Sequence, residues 1–312
     1  MDNMSSFSAW MAQIRANFLV LAVFLVAIGL AVTWNYQSAA PANGAFNFFH
    51  AALIMTGVVL AHISVNLFNE YSDYRTKIDF NTNRTPFSGG SGMIVNGKTS
   101  PRTVLTAAIL TLLFAFGTGV YFSLVAHWSI MVIAVLGGLT IVLYTPVLAR
   151  FMLGELFAGL MLGTLVVIGT FIAMTASPGM SLSEIVTVRL ILISIPPGIL
   201  TSLLLLINEF PDVEADRNGG RKHLVIRFGK QKAAWIYAFG VFLAFGIIIA
   251  LPILGITSTW IYLALLPLPL ALNASFLAIK HNDDNKKITM AMGNNVITVL
   301  ATDLLLAIAI LI

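Results

Sequence analysis

The chain has 312 residues, of which 58% are hydrophobic and only 10% are charged, and it contains no cysteine. Soluble domains carry about 25% charged residues, so the composition excludes a water-soluble enzyme, a nucleic-acid-binding protein and a secreted disulfide scaffold. The absence of cysteine also excludes thiolate chemistry. The composition therefore predicts an all-α integral membrane protein, with the lipid bilayer as a partner and no nucleic acid.

Long runs without any charged residue locate the membrane-spanning helices. Three such runs cover 16–69, 103–149 and 233–279, and two shorter runs cover 156–183 and 190–208. A helix that crosses a bilayer needs about 20 apolar residues. The long runs therefore hold two helices each, the shorter runs hold one each, and an apolar stretch after residue 288 holds the last. Nine spans are predicted, at 15–35, 46–68, 103–123, 128–148, 155–176, 188–209, 232–253, 258–279 and 289–311.

The positions of the basic residues predict how these helices are oriented. With the N-terminus inside, the inner segments contain all the lysines and arginines except Arg189, as expected for cytoplasmic loops. The predicted orientation is therefore N-in and C-out, in one membrane-embedded domain over residues 1–312. The first span is expected to be retained and not cleaved as a signal peptide, because its apolar stretch ends at Trp34 and Tyr36, an aromatic pair typical of a membrane interface.

Two inner loops stand out because they are rich in acids. They follow the second and sixth predicted spans and cover about 69–102 and about 210–231. On a helix, residues four apart are neighbours, so Asn69 lies beside Asp73, and Asp212 lies beside Asp216. Carboxylates that close repel one another, and the nearby membrane reduces their hydration. A positive group must therefore lie between them.

Oxygen-rich clusters of this kind favour Mg²⁺. Carboxylate and amide oxygens are its preferred protein ligands, and Mg²⁺ commonly completes its shell with water and substrate phosphates. A single cluster is more typical of an ordinary solvated loop. Two clusters, each at the inner end of a helix, favour a divalent-metal site that binds a diphosphate. The lysines and arginines of the same loops are expected to contact the phosphates.

Two motifs carry a family resemblance. Residues 69–79 read NEYSDYRTKID and residues 208–217 read NEFPDVEADR. The pair resembles the two Asp-rich motifs of the UbiA superfamily of membrane-embedded prenyltransferases, and the resemblance covers nearly the full chain. Together with Tyr144-Thr145-Pro146 and Leu153-Gly154-Glu155, the motifs are most similar to the branch that prenylates 1,4-dihydroxy-2-naphthoate in menaquinone synthesis. The chain departs from the pattern of that branch at four positions, Glu70, Lys77, Glu209 and Arg221.

The resemblance implies nine helices and a transfer of a polyprenyl group from an isoprenoid diphosphate to an aromatic acceptor. The implied cofactor is Mg²⁺, with Mn²⁺ able to replace it, and the expected acceptor is 1,4-dihydroxy-2-naphthoate, which loses CO₂. The alternative acceptors are 4-hydroxybenzoate, homogentisate, a porphyrinoid and a non-aromatic alcohol. A cation-coupled transporter is less favoured, because transporters bind their coupling ions near the middle of the bilayer. The active site is expected at the cytoplasmic face of a bacterial or archaeal cell membrane.

The resemblance also implies roles for individual residues. The implied metal ligands are Asn69, Glu70, Asp73, Asp79, Asp212 and Asp216. The implied substrate contacts are Asn66, Arg84, Lys98, Tyr144, Thr145, Asn208 and Arg217. The implied catalytic residues are Asp73, Asp212, Asp216, Lys98 and Tyr144.

Three further polar residues lie in or beside apolar runs. His62 precedes Asn66 by one helical turn and is expected to be a packing histidine with satisfied hydrogen bonds, the alternative being a role in binding the acceptor or in handling a proton. Glu155 lies at the start of a predicted helix, where the helix dipole favours an acid. Asp303 lies within the last apolar run and is expected to be hydrogen-bonded to polar neighbours on its helix, because an intramembrane carboxylate is costly.

Overall fold

A computed structural model describes residues 5–40, 44–82 and 84–312, and the regular structure within these ranges is helical. The principal helices are α1 Ser6–Gln13, α2 Ala16–Ala39, α3 Phe48–Arg75, α4 Pro101–Val125, α5 Ser129–Leu143, α6 Gly154–Thr175, α7 Val188–Asn208, α8 Val213–Asn218, α9 Lys230–Ile253, α10 Thr259–Lys280 and α11 Asn285–Leu311. Short helical turns lie at Ile78–Phe80, Leu148–Arg150, Leu182–Ile185 and Leu224–Phe228. The prediction of an all-α fold is confirmed.

Eight of the helices in the described part of the chain are long and apolar enough to cross a membrane, namely α2, α3, α4, α6, α7, α9, α10 and α11. They correspond to eight of the nine predicted spans. The fourth predicted span, 128–148, corresponds to α5, which has 15 residues. At 1.5 Å per residue α5 rises about 22 Å, which is shorter than the roughly 30 Å hydrocarbon core of a bilayer. The structure therefore has eight long helices and one short apolar helix where nine spans are predicted.

Capping residues fix the ends of the long helices. Asn47 accepts a hydrogen bond from the first turn of α3, and Asp284 caps α11 in the same way. At α4, Ser100 is the cap and Pro101 occupies the first helical position. Capping side chains accept hydrogen bonds from N–H groups that have no partner within the helix, and proline has no N–H group that needs one. The loop between α3 and α4, which contains part of the first acidic motif, therefore ends at a well-defined helix start.

Glycines let two central helices approach each other closely. A Cβ atom on Gly159 or Gly163 in α6 would lie 2.6 or 2.5 Å from the backbone of Gly198 in α7, which is closer than non-bonded atoms allow. Small residues at such crossings are typical of membrane helix pairs. Pro196 and Pro197 lie just before Gly198, within α7, and do not end the helix. Helices α6 and α7 therefore pack as a tight pair.

The rest of the bundle is arranged around this pair. Helix α2 packs against α6 and α11, α7 packs against α9, and α3 runs along α4. The buried core is contributed mainly by α2, α6, α7, α9, α10 and α11, whereas α4 and α5 keep many large apolar side chains exposed. Exposed apolar faces of this kind are suited to contact with lipid. The ends of α3 and α7 that carry the acidic motifs converge on one side of the bundle.

Candidate active site

The two acidic motifs meet in one polar pocket of about 90 Å³. The end of α3 and the turn after it line one side of this pocket, and the end of α7 with the start of α8 lines another. Other segments supply the rest of the lining, including Phe87, Tyr144 and Arg221. The motif residues that line the pocket are Asn69, Asp73, Ile78, Asp79, Asn208, Glu209, Asp212 and Asp216. All the predicted metal ligands except Glu70 are therefore brought together.

Arg221 links the two motifs across this polar pocket. Its Nη1 donates to Asp216 Oδ1 at 2.8 Å, and its Nη2 donates to Asn69 Oδ1 at 3.1 Å and to Asp73. Burial alone would lower the pKa of this guanidinium, but Asp73 and Asp216 raise the pKa above its ordinary value, so Arg221 stays charged. In the sequence Arg221 is visible only as a departure from the family pattern, because the segments it joins are far apart along the chain.

Two other acids in the polar pocket are strongly perturbed. Burial, together with repulsion from Asp73, raises the pKa of Asp79 to about 8. Burial, together with repulsion from Asp216, raises the pKa of Asp212 to about 7. Asp212 Oδ1 and Asn208 Oδ1 are buried and have no hydrogen-bond partner among the described residues. Oxygens in this state are stabilised by a proton or by a bound cation.

This donor set fits a divalent cation that retains much of its water. Mg²⁺ usually binds through one or two carboxylates and takes its remaining ligands from water and substrate phosphates. Within the ranges that the structure describes, no group of three or more His, Asp or Glu side chains is arranged to hold a metal ion, and Arg221 lies between Asp73 and Asp216. A partial oxygen set with unpartnered atoms, beside a fixed positive charge, is the arrangement that a metal and a diphosphate would complete.

Glu70, a predicted metal ligand, does not line the polar pocket. Its buried carboxylate accepts hydrogen bonds from Gln13 Nε2 at 3.0 Å and from the N and Oγ of Ser91, both at 2.6 Å. It also pairs with Arg15 at 3.4 Å. Consecutive side chains leave a helix about 100° apart, so Glu70 points away from its neighbour Asn69. Glu70 instead holds α1 and the loop after α3 together.

Three predicted phosphate contacts also lie outside the polar pocket. Lys98 is exposed in the turn that precedes α4. Arg217 is exposed on α8, where it follows an acid of the pocket by one residue and therefore faces another direction. Arg84 is exposed, and its Nη2 donates to the backbone carbonyl of Asp79 at 2.8 Å. Positive charge near an acidic motif in the sequence did not indicate which side chains would face the pocket.

Arg15 and Arg221 are the arginines that line the polar pocket instead. Arg15 joins α1 to α2 with a φ of 50°, a left-handed conformation that is uncommon for a residue with a side chain. This turn allows the side chain to reach back to Glu70. The only signal for Arg15 in the sequence is its position at the start of the first charge-free run.

A larger apolar cavity opens beside the polar pocket. It has a volume of about 350 Å³ and extends between α2, α3, α4, α5, α6 and α7. The residues that line both spaces, here called the junction, are Arg15, Asn69, Phe87, Tyr144, Leu205 and Asn208. A ligand can therefore place a charged group in the polar pocket and a hydrocarbon tail in the apolar cavity.

The remaining predicted substrate contacts lie near the junction. Thr145 Oγ1 donates to Asn69 Oδ1 at 3.0 Å, and Tyr144 faces both the polar pocket and the apolar cavity. Asn66 lines the apolar cavity, and its Nδ2 donates to the backbone carbonyl of Ile14 at 2.9 Å. The structure thus places Asn66, Tyr144 and Asn208 where a ligand could contact them.

A buried histidine adjoins the second motif and was not predicted. His223 is 2% exposed, and its ring nitrogens lie 3.4 Å from Glu209 Oε2 and 3.3 Å from Asp216 Oδ2. Burial opposes ionisation of Asp216, but Arg221 and His223 lower its pKa below the ordinary value. Glu155 accepts a hydrogen bond from the backbone immediately after His223 at 2.8 Å. Glu155 therefore has a structural contact in addition to its position at the start of α6.

Within the described ranges, two polar residues of the spans lack the hydrogen bonds that the sequence predicts for them. Asp303 in α11 is completely buried, and neither of its carboxylate oxygens has a partner among the described residues. Asn295, a polar residue of the same helix, accepts a hydrogen bond from Tyr237. His62 in α3 is 5% exposed, and its Nδ1 has no partner in the described part of the chain. Neither residue is the satisfied packing group that the sequence predicts.

Known proteins resemble this chain over most of its length. Residues 31–296 match the family described as the UbiA prenyltransferase family. A 1,4-dihydroxy-2-naphthoate octaprenyltransferase from Bacillus subtilis is 32% identical over 210 residues, which cover 66% of this chain and 64% of that protein. A protein of the same description from Escherichia coli is 25% identical over 296 residues, which cover 90% of this chain and 88% of that protein. These matches agree with the resemblance that the two motifs carry.

Solved structures share the fold. A UbiA homologue from Aeropyrum pernix K1 in its apo form superposes with a TM-score of 0.68 at 17% identity, covering 91% of this chain and 96% of that chain. A UbiA homologue from Archaeoglobus fulgidus bound to GPP and Mg²⁺ superposes with a TM-score of 0.58 at 14% identity, covering 97% of this chain and 99% of that chain. At these identities the likeness establishes the fold alone.

Proposed function

The chain belongs to the UbiA prenyltransferase family, and we propose on that basis that it transfers a polyprenyl group from an isoprenoid diphosphate to 1,4-dihydroxy-2-naphthoate in menaquinone synthesis. The observation that carries this proposal is the junction between an acid-lined polar pocket and an apolar cavity. A prenyl diphosphate has the same division, with a highly charged head and a hydrocarbon tail. The relatives from B. subtilis and E. coli support the choice of acceptor.

In this proposal the polar pocket holds the diphosphate together with Mg²⁺, which Mn²⁺ could replace. When bound, the metal would stabilise the negative charge on the departing diphosphate. Arg15 and Arg221 add fixed positive charge in the same pocket. The Mg²⁺-bound homologue of the same fold supports a divalent metal. The residues that would hold the metal are Asn69, Asp73, Asp79, Asp212 and Asp216.

The reaction then takes place at the junction. The bond between the allylic carbon and the diphosphate oxygen breaks, and the apolar walls keep water away from the allylic cation. The acceptor carbon that bears the carboxylate forms the new carbon–carbon bond. The carboxylate leaves as CO₂, and its electron pair restores the aromatic ring. Tyr144 and Asn208 face both spaces and are positioned to contact the reacting groups.

The membrane arrangement is part of the same proposal. One domain over residues 1–312 spans the bilayer nine times, with α5 and the turns that follow it as the shortest span. The N-terminus lies inside, because this orientation places nearly all lysines and arginines on the inner side. The polar pocket then faces the cytoplasm, in a bacterial or archaeal cell membrane. The exposed apolar side chains of α4 and α5 support contact between this edge and lipid.

Two alternative functions make different demands on the site. A cation-coupled transporter would need polar groups along an ion path, but in the described part of the chain the apolar cavity has Arg15 as its only charged lining residue. A prenyltransferase for 4-hydroxybenzoate, homogentisate or a porphyrinoid would use the same pocket with a different ring. The acceptor is therefore the point that an experiment must decide.

A membrane assay with radiolabelled prenyl diphosphates and a panel of these acceptors tests the proposal. We expect a labelled lipid product with 1,4-dihydroxy-2-naphthoate. A product with only another aromatic acceptor would replace the acceptor and keep the reaction. No product with any acceptor, in membranes that contain the folded protein, would contradict prenyl transfer.

The Mg²⁺ requirement is expected to depend on pH. Mg²⁺ binds ionised carboxylates, whereas Asp79 and Asp212 have pKa values raised to about 8 and about 7. Protons therefore compete with the metal at pH 6.5 and compete much less at pH 8.5. As the pH rises, the Mg²⁺ concentration for half-maximal activity should fall by up to about tenfold per pH unit for each proton that the metal displaces. An unchanged Mg²⁺ requirement across this range would show that these two acids do not bind the metal.

Replacing Gly138 with leucine is expected to shorten the part of the apolar cavity that is open to the prenyl tail. Gly138 lines the apolar cavity, and a Cβ atom there would meet only Leu112 Cδ1 at 4.0 Å, so the new side chain would fill open space. Burying a methylene contributes about 0.8 kcal/mol, so losing two methylene contacts should raise the KM of a long donor by about tenfold. The KM of a donor with two isoprene units should stay unchanged.

Gly246→Leu is the matched control for this change. Gly246 lies in α9, has no atom within 4 Å of a Cβ position and does not line either cavity. If both variants change the KM of the long donor equally, the tail does not pass Gly138.

A further inference from the structure

His62 is a buried histidine on the wall of the apolar cavity. It lies on α3, is 5% exposed and lines the cavity. It makes no hydrogen bond to any described residue, and its Nδ1 is sealed from solvent without a partner. A neutral imidazole has one donor and one acceptor nitrogen, and leaving such groups unpaired in apolar surroundings is unfavourable. The packing role predicted for this residue therefore does not account for its position.

Two polar residues of α3 lie on the same face of the helix as His62, in the direction of the junction. Residues four and seven positions apart share a helix face, so Asn66 and Asn69 continue the face on which His62 lies. At 1.5 Å per residue, Asn66 lies about 6 Å and Asn69 about 10 Å along the helix axis from His62. All three residues line the apolar cavity. His62 therefore lies about two helical turns from the place where the two cavities meet.

The donor offers no partner for His62. Its charged head belongs in the polar pocket, and the rest of the molecule is hydrocarbon with no hydrogen-bonding atom. The aromatic acceptor must also enter the cavity, because its ring carbon has to reach the allylic carbon at the junction. A hydroxylated aromatic acid carries the hydrogen-bonding groups that the donor tail lacks. Its negative charge matches the single charged residue described on the cavity wall, Arg15.

We infer that His62 recognises the acceptor by a hydrogen bond between its imidazole ring and an acceptor hydroxyl. The inference rests on the proposed function and adds the residue that selects a hydroxylated aromatic acid. His62 contacts the acceptor and not the donor. Asn208, whose Oδ1 is buried without a partner, is a second group at the junction that an acceptor hydroxyl can satisfy. The acceptor ring then lies along α3 between His62 and the junction.

The test compares His62→Leu and His62→Gln in the full-length protein, purified into lipid nanodiscs. Losing one hydrogen bond to a buried partner typically changes an equilibrium by about tenfold. We expect His62→Leu to raise the KM for 1,4-dihydroxy-2-naphthoate by about tenfold and to leave the donor KM within about twofold. The glutamine side chain of His62→Gln can still donate and accept a hydrogen bond. This variant should therefore recover most of the affinity for 1,4-dihydroxy-2-naphthoate. The Kd of the acceptor alone, measured by tryptophan fluorescence, should change in parallel.

His127→Leu is the control for the loss of a buried histidine. His127 is 2% exposed, hydrogen-bonds to Ser129 and to the backbone carbonyl of Met180, and does not line either cavity. We expect this variant to lower the thermal unfolding temperature and to leave both KM values unchanged. A purely structural role for His62 would produce the same pattern in His62→Leu.

A thermodynamic cycle that combines a change at His62 with a change in the aromatic acceptor keeps the test decisive if His62→Leu is unstable. The second change is in the acceptor, with 1-hydroxy-2-naphthoate and 4-hydroxy-2-naphthoate each lacking one hydroxyl. If one of these analogues loses affinity with the wild-type protein and with His62→Gln, but loses no affinity with His62→Leu (or with His62→Met, if the leucine variant is unstable), the hydroxyl and His62 are coupled. Equal losses in every protein, or an unchanged acceptor KM in folded His62→Leu, would overturn the inference. Absence of prenyl transfer in the wild-type protein would instead refute the proposed function.

Discussion

Replacing Asp73 or Asp212 with alanine is expected to reduce turnover by at least about a hundredfold. Each residue lines the polar pocket from a different motif. Removing one positioned group that stabilises developing charge typically costs about 10² to 10³ in rate. The measurement is kcat for prenyl transfer in purified protein, at saturating concentrations of both substrates. Asp73→Asn and Asp212→Asn should show similar losses, because an amide keeps the shape of the side chain and removes the charge.

Asp303→Asn is the matched control for the acid substitutions. Asp303 is a completely buried acid, but it lies in α11 and does not line either cavity. Its carboxylate has no partner among the described residues, so an amide there should have little effect on activity. If Asp303→Asn were more damaging than Asp73→Asn, the reacting site would have to lie within the bilayer and not at the polar pocket.

Removing divalent metal is expected to abolish prenyl transfer. The pocket collects several carboxylates, and the diphosphate adds further negative charge. Arg15 and Arg221 alone cannot balance that charge, because Arg221 is already paired with Asp73 and Asp216. We therefore expect no turnover in excess EDTA, full recovery with Mg²⁺ and substantial recovery with Mn²⁺. Undiminished turnover in EDTA would contradict a metal-diphosphate site.

A binding measurement separates the metal's role in holding the donor from its role in the reaction. We expect prenyl diphosphate to bind weakly without Mg²⁺, because the carboxylates then repel the phosphates. In Asp73→Asn, the affinity for the donor should change less when Mg²⁺ is removed, because one of the charges that repel the phosphates is gone. If donor affinity were the same with and without Mg²⁺, the metal would act only after binding.

The membrane fold could be predicted largely from the spacing of charges. A run without Asp, Glu, Lys or Arg long enough for two spans must contain a turn, and the helices lie where these runs place them. The short length of α5 could not be predicted, because its apolar run continues into Tyr144 and the turn at Leu148–Arg150. Hydropathy does not distinguish an apolar helix from the apolar turns after it.

Helical spacing predicted one part of the candidate site, and the motif resemblance supplied residues outside the long helices, such as Asp79 and Tyr144. Asn69 and Asp73 are four residues apart, so a helix places them together, and they do line the same pocket. Glu70 and Arg217 each adjoin a pocket residue in the sequence and therefore point elsewhere. Arg221 and His223 reach the pocket through a loop whose path depends on long-range packing. Periodicity carries no information about such a path, so neither residue could be assigned from the sequence.

Decarboxylating prenyl transfer by the acid-lined pocket and the apolar cavity together can be tested by following the carboxyl carbon of the acceptor. The purified protein is given a prenyl diphosphate and 1,4-dihydroxy-2-naphthoate labelled in its carboxyl group, with Mg²⁺ present. The account predicts that labelled CO₂, free diphosphate and an unlabelled prenylated product form in equal amounts, and that Asp73→Asn lowers all three together. A prenylated product that retains the label, or the release of diphosphate without any prenylated product, would contradict it.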